Sequence, residues 1–286
     1  MRGGFLYFGV IPLVMKRFVL CLLLCSAASM ADAQQVERPE ITGIASVEIQ
    51  VSHLDSAVKF YGDYLGYELQ RTAHTLTAQV NARQRIYVRD GLPPSQDDRL
   101  LSLAFQTNDL PRMQRYLTQK GIMVRPGPDN ASIVVKDPDG HTILFVQLPP
   151  AKPASGTGIS DRILHAGLTI ADPLRADSFY AAILGFTETW RGGATDSVTS
   201  WINMRLPEST DYLEYMLVKP PASRRQLGSA HHIALMVPDM QKAVDALRFR
   251  NGSVPSPRIG RNNRWLLNLY DADGTRVELM EPFTAR

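Results

Sequence analysis

The chain has 286 residues, a formal net charge of +3 and two cysteines, Cys21 and Cys25. That length accommodates two ordinary domains, each with a core, and the small net charge argues against a nucleic-acid partner. In chain order, the segment MKRFVLCLLLCSAASMADA opens the reading, with a basic start at Lys16 and Arg17, a short apolar run and a small-residue site at residues 31–33. This pattern predicts a signal peptide over residues 1–33, cleaved near Ala33, with translation starting at Met1 or Met15 and a secreted or periplasmic product. The run is short for a bilayer span, so no stable membrane association is expected after cleavage. Both cysteines leave with it, which removes disulfides, thiolate ligands and a cysteine nucleophile from the mature chain.

The remainder repeats itself. Residues 47–67 (VEIQVSHLDSAVKFYGDYLGY) align with residues 166–186 (AGLTIADPLRADSFYAAILGF) at a constant offset of 119. Later segments match too: SLAFQTNDL at 102–110 with HIALMVPDM at 232–240, and DPDGHTILFVQ at 137–147 with DADGTRVELME at 271–281. Each unit reads as a strand, a short helix with apolar residues at three and four, and further alternating strands, with Asp-Gly at 139–140 and 273–274 marking tight turns. The fold class is therefore α+β, with four βαβββ modules forming two domains whose curved mixed sheets surround a cleft. The first domain covers residues 41–150, a Pro/Gly/Ser-rich linker 151–160, and the second domain 161–284.

Strand parity then sorts the polar residues. In HHIALMV, Ile233, Leu235 and Val237 share the helix-facing side with His231, an edge or packing residue, whereas His232 faces the cleft. The same alternation aims His165, Glu214 and Glu278 into that cleft, and places Trp201, Asn203 and Arg205 as candidate substrate-binding residues. Two imidazoles and two carboxylates suit one first-row divalent metal ion, with Ni, Zn, Co, Mn and Fe all open. The first domain carries Ser46, Tyr87, Ser102 and Leu144 at the matching places and should bind no metal there. His53, His74 and His141 read as surface groups in a turn, a loop and a hairpin. The loops RGGATDS and GRNNR are placed to cover the cleft mouth.

The segments HLDSAVKFYGDYLGY, DPLRADSFYAAILGF and DADGTRVEL resemble the vicinal oxygen chelate superfamily, which includes glyoxalase I, extradiol dioxygenases and bleomycin resistance proteins. The resemblance spans nearly all of residues 43–283, and the order His165, Glu214, His232, Glu278 is similar to the metal ligands of glyoxalase I. It implies a metal-dependent lyase or isomerase that moves a proton on a small chelated oxygenated substrate, with Glu278 or Glu214 as the catalytic base. Thr169 and Val218 stand where that family holds glutathione with an arginine and an asparagine, so a different substrate is expected. The alternatives are an extradiol-type Fe(II) dioxygenase and a non-catalytic small-molecule-binding protein of the bleomycin-resistance kind. Monomer and homodimer are both compatible with four modules.

Overall fold

A computed structural model of the chain describes residues 1, 3–4, 35–128, 131–149, 158–251 and 253–281. Most of the expected signal peptide and most of the expected linker lie outside the described residues. No described helix is long and apolar enough to cross a membrane.

Each domain is one eight-stranded sheet built from two modules. The first contains β1 (Ile41–Gln50), β2 (Leu69–Arg71), β3 (Thr75–Gln79), β4 (Arg85–Arg89), β5 (Leu100–Thr107), β6 (Arg125–Pro126), β7 (Ser132–Lys136) and β8 (Thr142–Val146). Their order is 2-3-4-1-5-8-7-6, with β4 parallel to β1, β8 parallel to β5, and the modules joined by the antiparallel pair β1–β5. The second sheet repeats this plan with β9 (Ile163–Thr169), β10 (Thr187–Gly192), β11 (Trp201–Arg205), β12 (Tyr212–Met216), β13 (Ile233–Met236), β14 (Arg258–Ile259), β15 (Trp265–Tyr270) and β16 (Arg276–Glu281). Its order is 10-11-12-9-13-16-15-14.

The helices cover one side of each sheet. In the first module, α1 (Leu54–Ala57) widens into a π-helical stretch (Val58–Tyr64), where the sequence spacing alone predicts a plain helix. Helices α2 (Leu110–Gln119) and α3 (Pro173–Tyr180) begin at Asp109 and Asp172, whose side chains accept backbone N–H bonds of the first turn. A helix not expected from apolar periodicity, α4 (Arg224–Ala230), starts on a capping box formed by Ser223 and Gln226 and ends at His231. The last, α5, spans Met240–Asn251.

The two domains meet through their helix-side cores, where Phe105 and Phe186 pack edge to face at 5.3 Å. Each D-x-D-G turn joins them a second way. Asp137 Oδ1 accepts the N–H groups of Asp139 and His141, and its Oδ2 accepts the Tyr180 hydroxyl of the other domain at 2.8 Å. Asp271 does the same for its own turn and faces the Tyr61 hydroxyl at 3.4 Å. The second aspartate of each turn binds the backbone after the opposite domain's first strand: Asp139 takes the N–H of Ala171, Asp273 that of Ser52. Gly140 and Gly274 close the turns at φ of 92° and 84°, a left-handed conformation that favours glycine.

His141 is not the surface group that its hairpin position suggests. It donates through Nδ1 to Asp137 at 2.8 Å, and its Nε2 lies 3.2 Å from Thr169 Oγ1. Of the edge and packing roles open to His231, it takes the packing one, buried with its Nδ1 2.7 Å from Asp98 Oδ1 and its Nε2 2.9 Å from the same Thr169 hydroxyl. Both are interdomain residues, invisible to the parity of a single strand because the partner groups come from the other domain.

The two turn aspartates differ electrostatically. Burial alone would raise the Asp137 carboxyl, but the hydrogen bond and charge of His141, with the Tyr180 hydroxyl, bring it below its ordinary value. Asp271 has Thr275 in place of that histidine, and burial raises it. A depressed carboxyl stabilises the fold above its unfolded-state pKa and loses that contribution as pH falls through the folded value. Asp137→Asn should therefore cost about 2–3 kcal/mol at pH 7. In thermal melts the deficit relative to wild type should shrink as pH falls below about 3.9. A deficit unchanged at the lowest pH at which both proteins fold would contradict this origin.

Candidate metal centre

The second domain's cleft wall is made by β12, β9, β13 and β16, adjacent in that order. The registers place Glu214 beside Gly167, Ala234 beside His165, and Ala234 beside Glu278, so the predicted donors rise from neighbouring strands on one face. A register shift in the β9–β13 pairing falls at Leu164, immediately before His165; such irregularities re-aim the neighbouring side chain. A second close fit lies under His232: a Cβ added at Gly167 would sit 2.1 Å from His232 Nδ1 and 2.4 Å from the carbonyl oxygen of Ala230. Only glycine leaves room there for the imidazole to fold over β9.

His165, Glu214 and His232 form a group whose ligand atoms all lie within 4.8 Å of one another. His165 Nε2 is 2.9 Å from His232 Nε2, and Glu214 Oε2 is 3.4 Å from the latter and 4.0 Å from the former. Glu278, the fourth predicted donor, is buried on the same wall but outside this group, with its Oε2 3.6 Å from Arg276 Nη1. Burial, then Arg276 and Arg264, hold His165 well below its usual range, and burial with Arg276 does the same to His232. Burial, reinforced by Glu278 and opposed by Arg276, raises Glu214 to about 8. Burial raises Glu278 as well. His165 Nδ1 has no hydrogen-bond partner. Neutral imidazoles and carboxyls that ionise reluctantly without a cation are the donor chemistry a divalent metal satisfies, so the residues fit such an ion.

Of the predicted substrate residues, Asn203 and Arg205 line a cavity of about 340 Å³ together with Trp190, Tyr212, Asn262 and Arg264. Trp201 lies further along the same strand, partly exposed and outside that lining. Two contacts connect the cavity to the donors. Asn203 stands directly across from Glu214, and the Tyr212 ring stacks on His165 at 4.3 Å. Tyr212 also belongs to an apolar cluster with Leu164, Leu266 and Met280. The loops RGGATDS and GRNNR are tied to each other by the Arg261–Asp196 ion pair.

Four residues of this region carry no role in the sequence reading: Gly167, Tyr212, Asn268 and Arg276. The parity that selects Glu278 also selects Arg276, two residues earlier on the same strand. Asn268 lies across from Glu278 as Asn203 lies across from Glu214, a repeat-related pair. In the first domain, register confirms Tyr87 as the counterpart of Glu214, since it pairs with Glu48 as Glu214 pairs with Gly167. That cleft holds an Arg89–Glu48 ion pair, a Ser102–Glu48 hydrogen bond, and an apolar fill of Ala45, Ala104, Leu144 and Val146.

The raised Glu214 carboxyl has a measurable sign. Metal-free folded protein retains a proton that the unfolded chain releases between about pH 4.5 and 8. The Glu214 contribution to stability should fall across that window by up to about 1.4 kcal/mol per pH unit, while the depressed histidines oppose it below about pH 6.5. Urea midpoints of chelator-treated wild type should therefore decline between about pH 7 and 8, and Glu214→Gln should flatten that decline. Parallel slopes for the two proteins would refute the assignment.

Residues 43–145 and 162–279 match the family model for the Glyoxalase/Bleomycin resistance protein/Dioxygenase superfamily. No curated protein matches the chain. Among solved structures, a variant of homoprotocatechuate 2,3-dioxygenase from B. fuscum aligns with a TM-score of 0.67 at 18% identity, covering 87% of this chain and 73% of that one. A second variant of that enzyme, in complex with HPCA, aligns with a TM-score of 0.66 at 18% identity, covering 86% and 72%. The 2,3-dioxygenase LapB from Pseudomonas sp. KL28 gives 0.67 at 13% identity, covering 87% and 96%. At these identities the structural likeness speaks to fold alone. The match over both repeats makes this chain a member of the Glyoxalase/Bleomycin resistance protein/Dioxygenase superfamily.

Proposed function

We propose that the chain is an exported metal-dependent enzyme that binds a small oxygenated molecule and transfers a proton between neighbouring carbons, as a lyase or isomerase does. The observation that carries this reading is the different placement of two carboxylates, Glu278 buried and Glu214 partly buried. Glu214 closes with His165 and His232 into a compact donor set, whereas Glu278 stays outside it on the same wall. His165, His232 and Glu214 would hold the ion, and a divalent metal bound there supplies Lewis-acid charge to adjacent substrate oxygens. Glu278 is then the base, its carboxylate oxygen taking the proton; burial already moves its pKa towards the range useful for general-base work. Asn203 orients polar substrate atoms from beside Glu214. Arg205 and Arg264 offer positive charge at the cavity, and the cluster around Tyr212 receives an apolar portion. Thr169, where related enzymes hold glutathione with an arginine, is bonded to His231 and lies beside His141, which supports a substrate other than a glutathione conjugate.

A second reading has its own observation. Two imidazoles and one carboxylate are the donor set of Fe(II) oxygenases, and the aligned structures are dioxygenases. Against it, the extradiol members of the superfamily use further histidines as acid–base groups, whereas His141 and His231 are locked into the domain joint rather than presented to the cavity. Sequestration of a small molecule without catalysis is the third reading.

Metal analysis of protein purified without chelator should find one divalent ion per chain. His232→Ala should lose at least about nine-tenths of it, and Gly167→Ala should lose most of it by displacing the same imidazole. His231→Ala should retain it. Solvent-deuterium exchange into substrates bearing adjacent oxygens, abolished by Glu278→Gln with metal retained, supports proton transfer. Iron-dependent oxygen uptake with catechols would instead establish the dioxygenase, and chelator-insensitive ligand binding without turnover the binding protein. Equal, negligible metal in wild type and His232→Ala would defeat the metal reading.

A further inference from the structure

The donor wall contains a cation of its own. Arg276 is 8% exposed, and its Nη2 lies 2.8 Å from His232 Nδ1 and 4.0 Å from Glu214 Oε2. Its Nη1 lies 3.6 Å from Glu278 Oε2. The same His232 Nδ1 is 2.9 Å from the carbonyl oxygen of Ala230. One ring nitrogen cannot serve both partners. To bond Ala230 it must carry a hydrogen, and to bond Arg276 it must accept one, because a guanidinium only donates.

The two contacts therefore belong to two tautomers. When Arg276 donates to Nδ1, the ring hydrogen sits on Nε2 and is directed at His165 Nε2, 2.9 Å away. His232 then has no lone pair to give a cation. When Ala230 accepts from Nδ1–H, the Nε2 lone pair is exposed to the donor group, and a backbone carbonyl fixes the ring as metal-binding histidines require.

We propose, resting on the metal-centre reading above, that Arg276 governs loading of the centre. It holds metal-free His232 in the Nε2-protonated tautomer and retains Glu278 outside the donor set, so that loading requires the guanidinium to release His232 to Ala230. Glu214 and Glu278 are the groups to which the released guanidinium turns, since both already lie within 4.0 Å of it. A simple bracing role for Arg276 has the opposite sign: its removal would then loosen the donors and weaken binding.

Two readouts independent of activity separate these cases. Long-range 1H–15N correlation spectra of metal-free wild type should show His232 protonated at Nε2, and Arg276→Met should shift it to Nδ1. Titration with Co(II), followed by visible absorption, should give one site per chain in both proteins, at least about tenfold tighter in Arg276→Met. Arg276→Gln, which keeps a donor without the charge, should fall between them, and it serves if the methionine variant does not fold. Equal or weaker Co(II) binding in a folded variant overturns the proposal, as does Nδ1–H in metal-free wild type. If neither protein binds Co(II) although the tautomer shifts as stated, the metal-centre reading fails and the loading proposal falls with it.

Discussion

Asp137 and Asp271 each do two things with one carboxylate. One oxygen caps the turn that launches a closing strand, and the other faces a tyrosine from the opposite domain. A buried carboxylate left unpaired is expensive, and so is a buried phenol. Each residue thus removes the penalty of the other, and the hairpin geometry that aims β8 or β16 is fixed in the same act. Glu278 and Arg276 sit on β16, so the direction of the donor wall follows from the turn at Asp271. The D-x-D-G and F-Y motifs, far apart in sequence, are two halves of one joint.

Much of this was legible from the residues. The repeat is visible because four modules need the same apolar alternation and the same turn chemistry. Parity puts His165, Glu214, His232 and Glu278 on one wall because it depends on backbone geometry alone, but it does not separate Glu278 from the three that come together. Parity does not report what another domain brings, which is why His141 reads as a surface group and His231 only as an edge or packing residue, although both reach Thr169. Nor does it report strand irregularities. The register shift at Leu164 and the bare backbone of Gly167 are features of how strands fit, and they decide whether His165 and His232 converge. The helix α4 escaped because its signal is a cap, Ser223 with Gln226, rather than a periodic face.

The two domains present one fold with and without a candidate donor set. The first keeps the sheet, the turns and the register, yet places Ser46, Tyr87, Ser102 and Leu144 at the donor positions. Its cleft has been filled by small apolar side chains and by Glu48 satisfied with Arg89 and Ser102. Restoring donors there would require emptying that fill as well as exchanging the four residues. At its other surface this domain contacts the second one: Asp98 faces His231 just before β13, His141 faces Thr169 at the end of β9, and Asp137 accepts the Tyr180 hydroxyl of α3.

The joints also arrange the modules as a ring. The first pairs with the second along β1–β5, the second meets the third at Asp137 and Tyr180, the third pairs with the fourth along β9–β13, and the fourth returns to the first at Asp271 and Tyr61. Three of these contacts become available in turn as the chain emerges during synthesis. The last joins residues 210 positions apart and waits for the final module. The strand bearing Arg276 and Glu278 directly follows the turn that makes this contact, so the donor wall and the ring are completed by the same stretch of chain.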